Sequence, residues 1–228
     1  MSNDRFARYG AATGILAVIL LIVGFMIFGS SIPDTDASGQ SWANFFREHE
    51  DRVQLAITVA GVGLFFFIWF LGSLRSAIAT AEGGAGRLAS IAFGGGIVGL
   101  VSLLLFLTGA GAAAFRASDP MVDPNLIRAL MDFGAIGAAP GAAGLVALFA
   151  ATAIAGYRFA PFPPAVAALS ALAAIGQALA YGVVFTDHGP FAADGVLGLV
   201  VPVITFGIAV IALSVSLIRQ PTVRPAAP

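Results

Sequence analysis

The 228-residue chain is 59% apolar but only 10% charged, with 28 glycines, no cysteine and a formal net charge of −1. Soluble domains of ordinary composition carry about 25% charged residues, so a soluble globular fold is excluded, and the missing cysteine removes disulfide scaffolds and thiol chemistry. The composition points to an all-α protein, a polytopic transmembrane helix bundle forming one membrane domain over residues 1–228.

A helix needs about 20 mostly apolar residues to cross a bilayer. Uncharged runs on that scale occur at 10–28, 53–72, 88–115, 133–156, 163–186 and 195–218, which predicts six spans. Arg5 and Arg8 precede the first run, whose length exceeds the roughly 7–15 apolar residues of a cleavable leader, so it is read as a span. The connection after it begins with the turn-forming run Pro33-Asp34-Thr35-Asp36. Trp42, Phe45, Phe46 and His49 then stand at i, i+3, i+4 and i+7. That spacing predicts a short interfacial helix, capped by Ser41, that lies on the outer leaflet with those four side chains on one face.

Between spans two and three lies Ala81-Glu82-Gly83-Gly84-Ala85-Gly86-Arg87, the one glycine-rich polar loop. A phosphate-cradling loop would be followed by Lys and Ser or Thr at a helix start, and neither follows here, so the segment reads as a flexible turn. Span three exceeds what a bilayer requires and is expected to tilt or to protrude. Next comes Asp123-Pro124, a helix N-cap followed by Pro at the first helical position, with Arg128 and Asp132 as i, i+4 neighbours beyond it. Pro140 and Pro202 fall inside spans four and six, where a missing N–H kinks a helix. Small residues recur at spacing four in Gly10 and Gly14, Gly95 and Gly99, and Gly137 and Gly141. Such pairs let helices approach closely, within one bundle or between copies or partner proteins. The Pro/Ala-rich tail, 219–228, is expected to be disordered.

Every basic residue is arginine. With the N-terminus inside, Arg5, Arg8, Arg75, Arg87, Arg158, Arg219 and Arg224 face the cytoplasm and Arg47, Arg52, Arg116 and Arg128 face outward, as the positive-inside rule prefers. The acids divide more sharply: Asp4 and Glu82 lie inside, whereas Asp34, Asp36, Glu48, Glu50, Asp51, Asp119, Asp123, Asp132, Asp187 and Asp194 lie outside. Both termini of a multi-pass plasma-membrane protein are thereby placed in the cytoplasm.

None of the six runs contains Asp, Glu, Lys, Arg or His. Proton relays, voltage sensors and most ion-coupled pumps need such groups within the bilayer, so coupled transport is disfavoured. Without lysine there is no Walker A site or Schiff base, and without a basic stripe nucleic acid is not expected as a partner. No cofactor is indicated. Gln177, in span five, is the main amide at membrane depth; it serves either as an interhelical hydrogen-bond donor or, with Pro140 and Pro202, as the lining of a lipid or solute cavity between spans four and six. His49 and His188 both fall outside, and with Asp187 they make a candidate transition-metal set, although no ligand spacing such as HExxH is present. The alternative has His49 completing the aromatic face and His188 within an exposed turn.

Phe70-Leu71-Gly72-Ser73-Leu74-Arg75, the segment Glu82 to Leu88 and the stretch Trp42 to Arg52 resemble those of uncharacterised six-span integral membrane proteins of actinobacteria and related bacteria. The resemblance covers most of the chain and is best in residues 5–100. It implies an all-helical inner-membrane protein and supplies no catalytic residues. Three functional expectations follow: a non-enzymatic accessory, sensing or interaction protein using the outer acidic face; a small lipid- or solute-handling protein with a cavity near Gln177; and a membrane enzyme with an outward metal site.

Overall fold

The computed structural model describes residues 3–29 and 31–219, with side chains from residue 8 onward. The tail beyond Arg219, Arg224 and the side chains of Asp4 and Arg5 lie outside the described residues. The elements are α1 (Asn3–Phe28), α2 (Gly39–Glu82), α3 (Arg87–Ala117), α4 (Pro124–Ala138), α5 (Ala142–Phe159), α6 (Pro164–Leu179) and α7 (Val201–Arg219), and no strand occurs among the described residues. A single 3₁₀ turn, Ala139–Gly141, joins α4 to α5 at Pro140, so the two make one span, and a π-helical turn, Val196–Val200, leads into α7 just ahead of Pro202. Both irregularities sit where a proline lacks the N–H that would continue the helical ladder. Six helical segments among the described residues are long and apolar enough to cross a membrane, so the chain is an all-α bundle of multi-pass type.

Spatial neighbours follow chain order and close on themselves: α1 packs on α2, α2 on α3, α3 on both α4 and α5, α5 on α6, α6 on α7 and α7 back on α1. The centre of this ring is filled rather than open. Phe67 and Phe70 from α2 lie 5.7 Å apart, Phe67 meets Phe206 of α7 at 5.3 Å, and Phe206 meets Phe149 of α5 edge-on at 5.9 Å. Small residues such as Ala17, Ala151, Ala155, Ala173 and Ala209 fill the remaining core, whereas Ile19, Ile22, Phe65, Ile68, Val101, Leu172, Ile175 and Ile204 point outward. Large apolar side chains thus line both the core and the outer face, and small residues sit where helix backbones approach closely, which suits a hydrocarbon solvent because packing replaces the hydrophobic drive.

The glycines show where that packing is closest. At Gly144 of α5 a methyl group would meet the carbonyl oxygen of Gly95 at 2.5 Å, and Gly99 lies against Leu145 on the same crossing. Gly10 faces Ser73, Gly14 faces Ser214 and Phe70, and Gly141 faces Ser102, so these small residues are occupied by helices of the same bundle.

The segment expected to be a separate interfacial helix belongs instead to α2, a helix of 44 residues. At 1.5 Å per residue this is about 66 Å, roughly twice the hydrocarbon thickness of a bilayer. Its cap is Ser38, not Ser41: Ser38 is extended and its Oγ accepts the Ser41 N–H at 3.2 Å. Nor does the aromatic face lie free on a leaflet. Trp42, Phe45 and Phe46 are buried against Phe28 of α1, Ala110, Ala113 and Ala114 of α3, and Ile127 and Met131 of α4. The periodic pattern recorded an apolar face correctly, but that face meets protein because three helices end close beneath it.

Candidate functional site

The end of the bundle that carries the 29–38, 118–123 and 185–195 connections is organised around a bend in α2. His49 leaves helical geometry (φ −126°, ψ 19°), and its Nδ1 lies 2.9 Å from the Phe45 carbonyl oxygen. A carbonyl only accepts, so Nδ1 carries the proton and the ring donates to the Phe45 carbonyl at the bend. The ring also stacks on Phe45 at 4.9 Å. Beside the bend is an open pocket of about 390 Å³ lined by Arg47 to Arg52 alone, a concavity made by one stretch of chain.

Two arginines flank the bend and both cap helices. Arg47 Nε donates to the Ala117 carbonyl at 3.2 Å, at the last residue of α3, and Arg52 donates through one terminal nitrogen to the Phe28 carbonyl at 3.0 Å, at the last residue of α1. Helix C-termini present unpaired carbonyls and the negative end of the helix dipole, so cations are favoured there. Gly29 accommodates this arrangement: its φ of +109° suits glycine, and the Arg52 guanidinium occupies the space that a side chain would need.

Most of the acids at this end are also committed. Asp119 and Asp123 accept the backbone N–H groups of Met121 and Asn125 at 2.9 and 2.8 Å, as Asx turns and N-caps do. Asp123 thus caps α4 with Pro124 at its first position, as the sequence predicts. Asp194 accepts the Thr35 N–H at 3.0 Å, tying the first connection to the third, and Glu50 accepts the Ser118 hydroxyl at 3.0 Å. Arg128 and Asp132 form the expected i, i+4 pair at 3.8 Å. Asp187 holds the His188 ring at 2.8 Å, and that hydrogen bond keeps the Asp187 carboxyl below its ordinary pKa. Asp34, Asp36, Glu48 and Asp51 remain, all exposed and without a side-chain hydrogen bond or ion pair among the described residues.

The expected metal set is not brought together. His49 is tucked into the α2 bend, whereas His188 is 80% exposed in the last connection, and no group of three or more His, Asp or Glu among the described residues is placed to hold an ion. Sequence reading put both imidazoles on one side of the membrane but had no means of setting their separation. The expected cavity is likewise not formed by its three residues. Buried Gln177 donates through Nε2 to the Pro202 carbonyl at 2.7 Å, joining α6 to α7, which is the interhelical alternative. Pro140 is exposed, its carbonyl facing the Tyr181 hydroxyl at 3.3 Å, and Phe149 with Phe206 occupies the space between spans four and six. Three other intramembrane hydroxyls return to their own helices: Ser102, Thr152 and Ser170 each donate to the carbonyl four residues back, at 3.3, 2.7 and 3.0 Å, whereas the buried Ser214 hydroxyl has no partner among the described residues.

At the opposite end, the glycine-rich turn does what sequence reading did not anticipate. Glu82, the last residue of α2, turns its carboxylate onto the start of α3 and accepts the Leu88 N–H at 3.0 and 3.1 Å and the Ala89 N–H at 3.3 Å. Gly86, the N-cap, has no side chain to do so and sits in left-handed geometry at φ 61°. The position that a phosphate would take at this helix start is therefore filled by the chain's own anion. A carboxylate followed by glycines before a helix was the available signal.

No protein-family model matches the chain, and no curated protein or solved structure is significantly similar to it.

Proposed function

We propose that this chain is a non-enzymatic multi-pass protein of a bacterial plasma membrane that acts as an accessory or interaction subunit through its acidic end. The observation that carries the reading is the division among the acids there: Asp34, Asp36, Glu48 and Asp51 are exposed and uncommitted, while their neighbours are consumed in caps and inter-loop hydrogen bonds. Loops tied to one another in this way hold the free carboxylates on a defined surface, which suits a basic partner segment through charge complementarity. The filled ring centre and the self-satisfied Thr152 and Ser170 hydroxyls support this reading over a solute pathway. Trp42 and Phe46 take no part in such a surface, because both are inside the bundle.

The test is a native pull-down from membranes with the full chain and a variant carrying Asp34→Asn, Asp36→Asn, Glu48→Gln and Asp51→Asn. Specific partners are expected to be lost in the variant at unchanged expression. An intact partner set would overturn the reading.

Arginine asymmetry supports cytoplasmic termini. A cysteine-free chain is a ready background for labelling: Asp36→Cys is expected to react with an impermeant maleimide on intact cells, and Ala85→Cys only after permeabilisation. The opposite pattern would invert the orientation.

A further inference from the structure

A second surface, far from the acidic end, has the form of a lipid site. The α5–α6 connection and the final turns of α7 enclose a groove of about 620 Å³, whose walls include Phe162, Val166, Ala212 and Val215 and whose polar lining includes Arg219. Phe162 is 3% exposed and belongs to the bundle core, so the floor is rigid. Pockets of several hundred Å³ with apolar walls and one charged group are the usual shape of small-ligand sites.

Charge identifies the occupant. The described side chains at this end include Arg8, Arg75, Arg87, Arg158 and Arg219, and the acid among them is Glu82. Glu82 has both oxygens engaged by the start of α3, so among the described residues no carboxylate at this end is left for Arg219. Beginning at the same groove, α6 has no side-chain cap, and its positive dipole end adds to the field of the guanidinium. A free phosphate would leave the apolar wall unused. An acyl chain fits that wall, and in a membrane-embedded bundle the end of α7 lies at headgroup depth.

We propose that this groove binds one anionic phospholipid, its phosphate on Arg219 and an acyl chain along Val166, Ala212 and Val215. The proposal depends on membrane embedding and is independent of the partner reading, whose test uses different residues and a different readout.

Native mass spectrometry of the full chain in detergent, with phosphatidylglycerol and phosphatidylcholine added in equal amounts, tests it. The unaltered protein is expected to retain one phosphatidylglycerol in preference. Arg219→Gln should lower that occupancy about tenfold, the scale of one lost charge-assisted contact. Val215→Trp, which fills the groove while leaving the arginine, should lower it comparably, and Arg75→Gln, at an exposed arginine of the same end, should not. Unfolding midpoints are measured in parallel; should Val215→Trp fail to fold, the exposed Arg219→Gln carries the test alone. Unchanged occupancy in Arg219→Gln, an equal loss in Arg75→Gln, or full displacement by inorganic phosphate at equal concentration would each overturn the proposal, the last by showing a free-anion site.

Discussion

At the acidic end, α1 and α3 finish with their last carbonyls held by Arg52 and Arg47, whereas at the opposite end α3 begins with its first amides held by Glu82. The sign of the capping charge is reversed between the ends, and in each case it opposes the helix dipole it meets. The consequence for the remaining charges is also reversed. Among the described residues, using arginines as caps leaves exposed acids unpaired at one end, and using Glu82 as a cap leaves arginines without an ion pair at the other. The two proposed binding surfaces, one for a cationic partner and one for an anionic lipid, are what remains after the helix termini have been satisfied.

The comparison can be broken most severely at the aromatic cluster. Phe46 is fully buried beneath the α2 bend, and truncating a buried Phe costs about 3–5 kcal/mol. Phe46→Ala should therefore lower the thermal midpoint in detergent, with hydrogen exchange rising first in 39–52 and 106–117 while 80–90 stays protected. Equal loss of protection at both ends would show that the ends are not independent. Next in size is Arg52→Gln, which shortens the cap of α1 and leaves the Phe28 carbonyl unsatisfied; hydrogen bonds to charged groups are worth about 1.5–3 kcal/mol. Its measurable effect is a lower midpoint at unchanged helicity by circular dichroism.

Glu82→Ala removes the cap of α3 and should cost about 1 kcal/mol, as N-cap losses do, seen as faster exchange at Leu88 and Ala89. An equal effect from Ser41→Ala would contradict the reading, since Ser38, not Ser41, receives the capping bond at the other end.

The smallest expected change is in the exposed Asp187–His188 pair. The hydrogen bond from His188 lowers the Asp187 pKa, so its contribution is present above the ordinary carboxylate range and is lost as pH falls through the lowered value. His188→Ala should move the Asp187 titration, followed by carboxyl-carbon NMR, upward, with no measurable change in stability because solvent screens so exposed a pair.

Much of this architecture was legible in the residues. The spans appear as uncharged runs, and helix termini with a local signal were read correctly, as at Asp123-Pro124, where cap and first turn are adjacent in sequence. Gln177 also behaves as an amide in hydrocarbon should, finding a carbonyl on the neighbouring helix. The start of α2 was misplaced by one turn because Gly39, Gln40 and Ser41 contribute nothing to the apolar period that signals a helix. The arginine caps could not be read at all: Arg52 meets a carbonyl 24 positions away and Arg47 one 70 positions away. The spacing of His49 places it on the aromatic face, where its ring does stack on Phe45, but the bend at this residue and its hydrogen bond to the Phe45 carbonyl have no local signal.

By itself, the sequence determined that the chain is a six-span helical bundle with an uncharged middle and most of its acids in the connections of one end, since transfer of apolar and charged groups between water and hydrocarbon depends on composition over stretches of about 20 residues. Tertiary structure decided which of those charges are available. That question turns on hydrogen bonds between helix ends distant in sequence, where a displacement of a few ångströms separates a capped carbonyl from an orphaned one. The same physics left His49 out of any metal-holding group with the Asp187–His188 pair, turned Trp42 and Phe46 inward, and left a groove beside Arg219 that no local pattern marks.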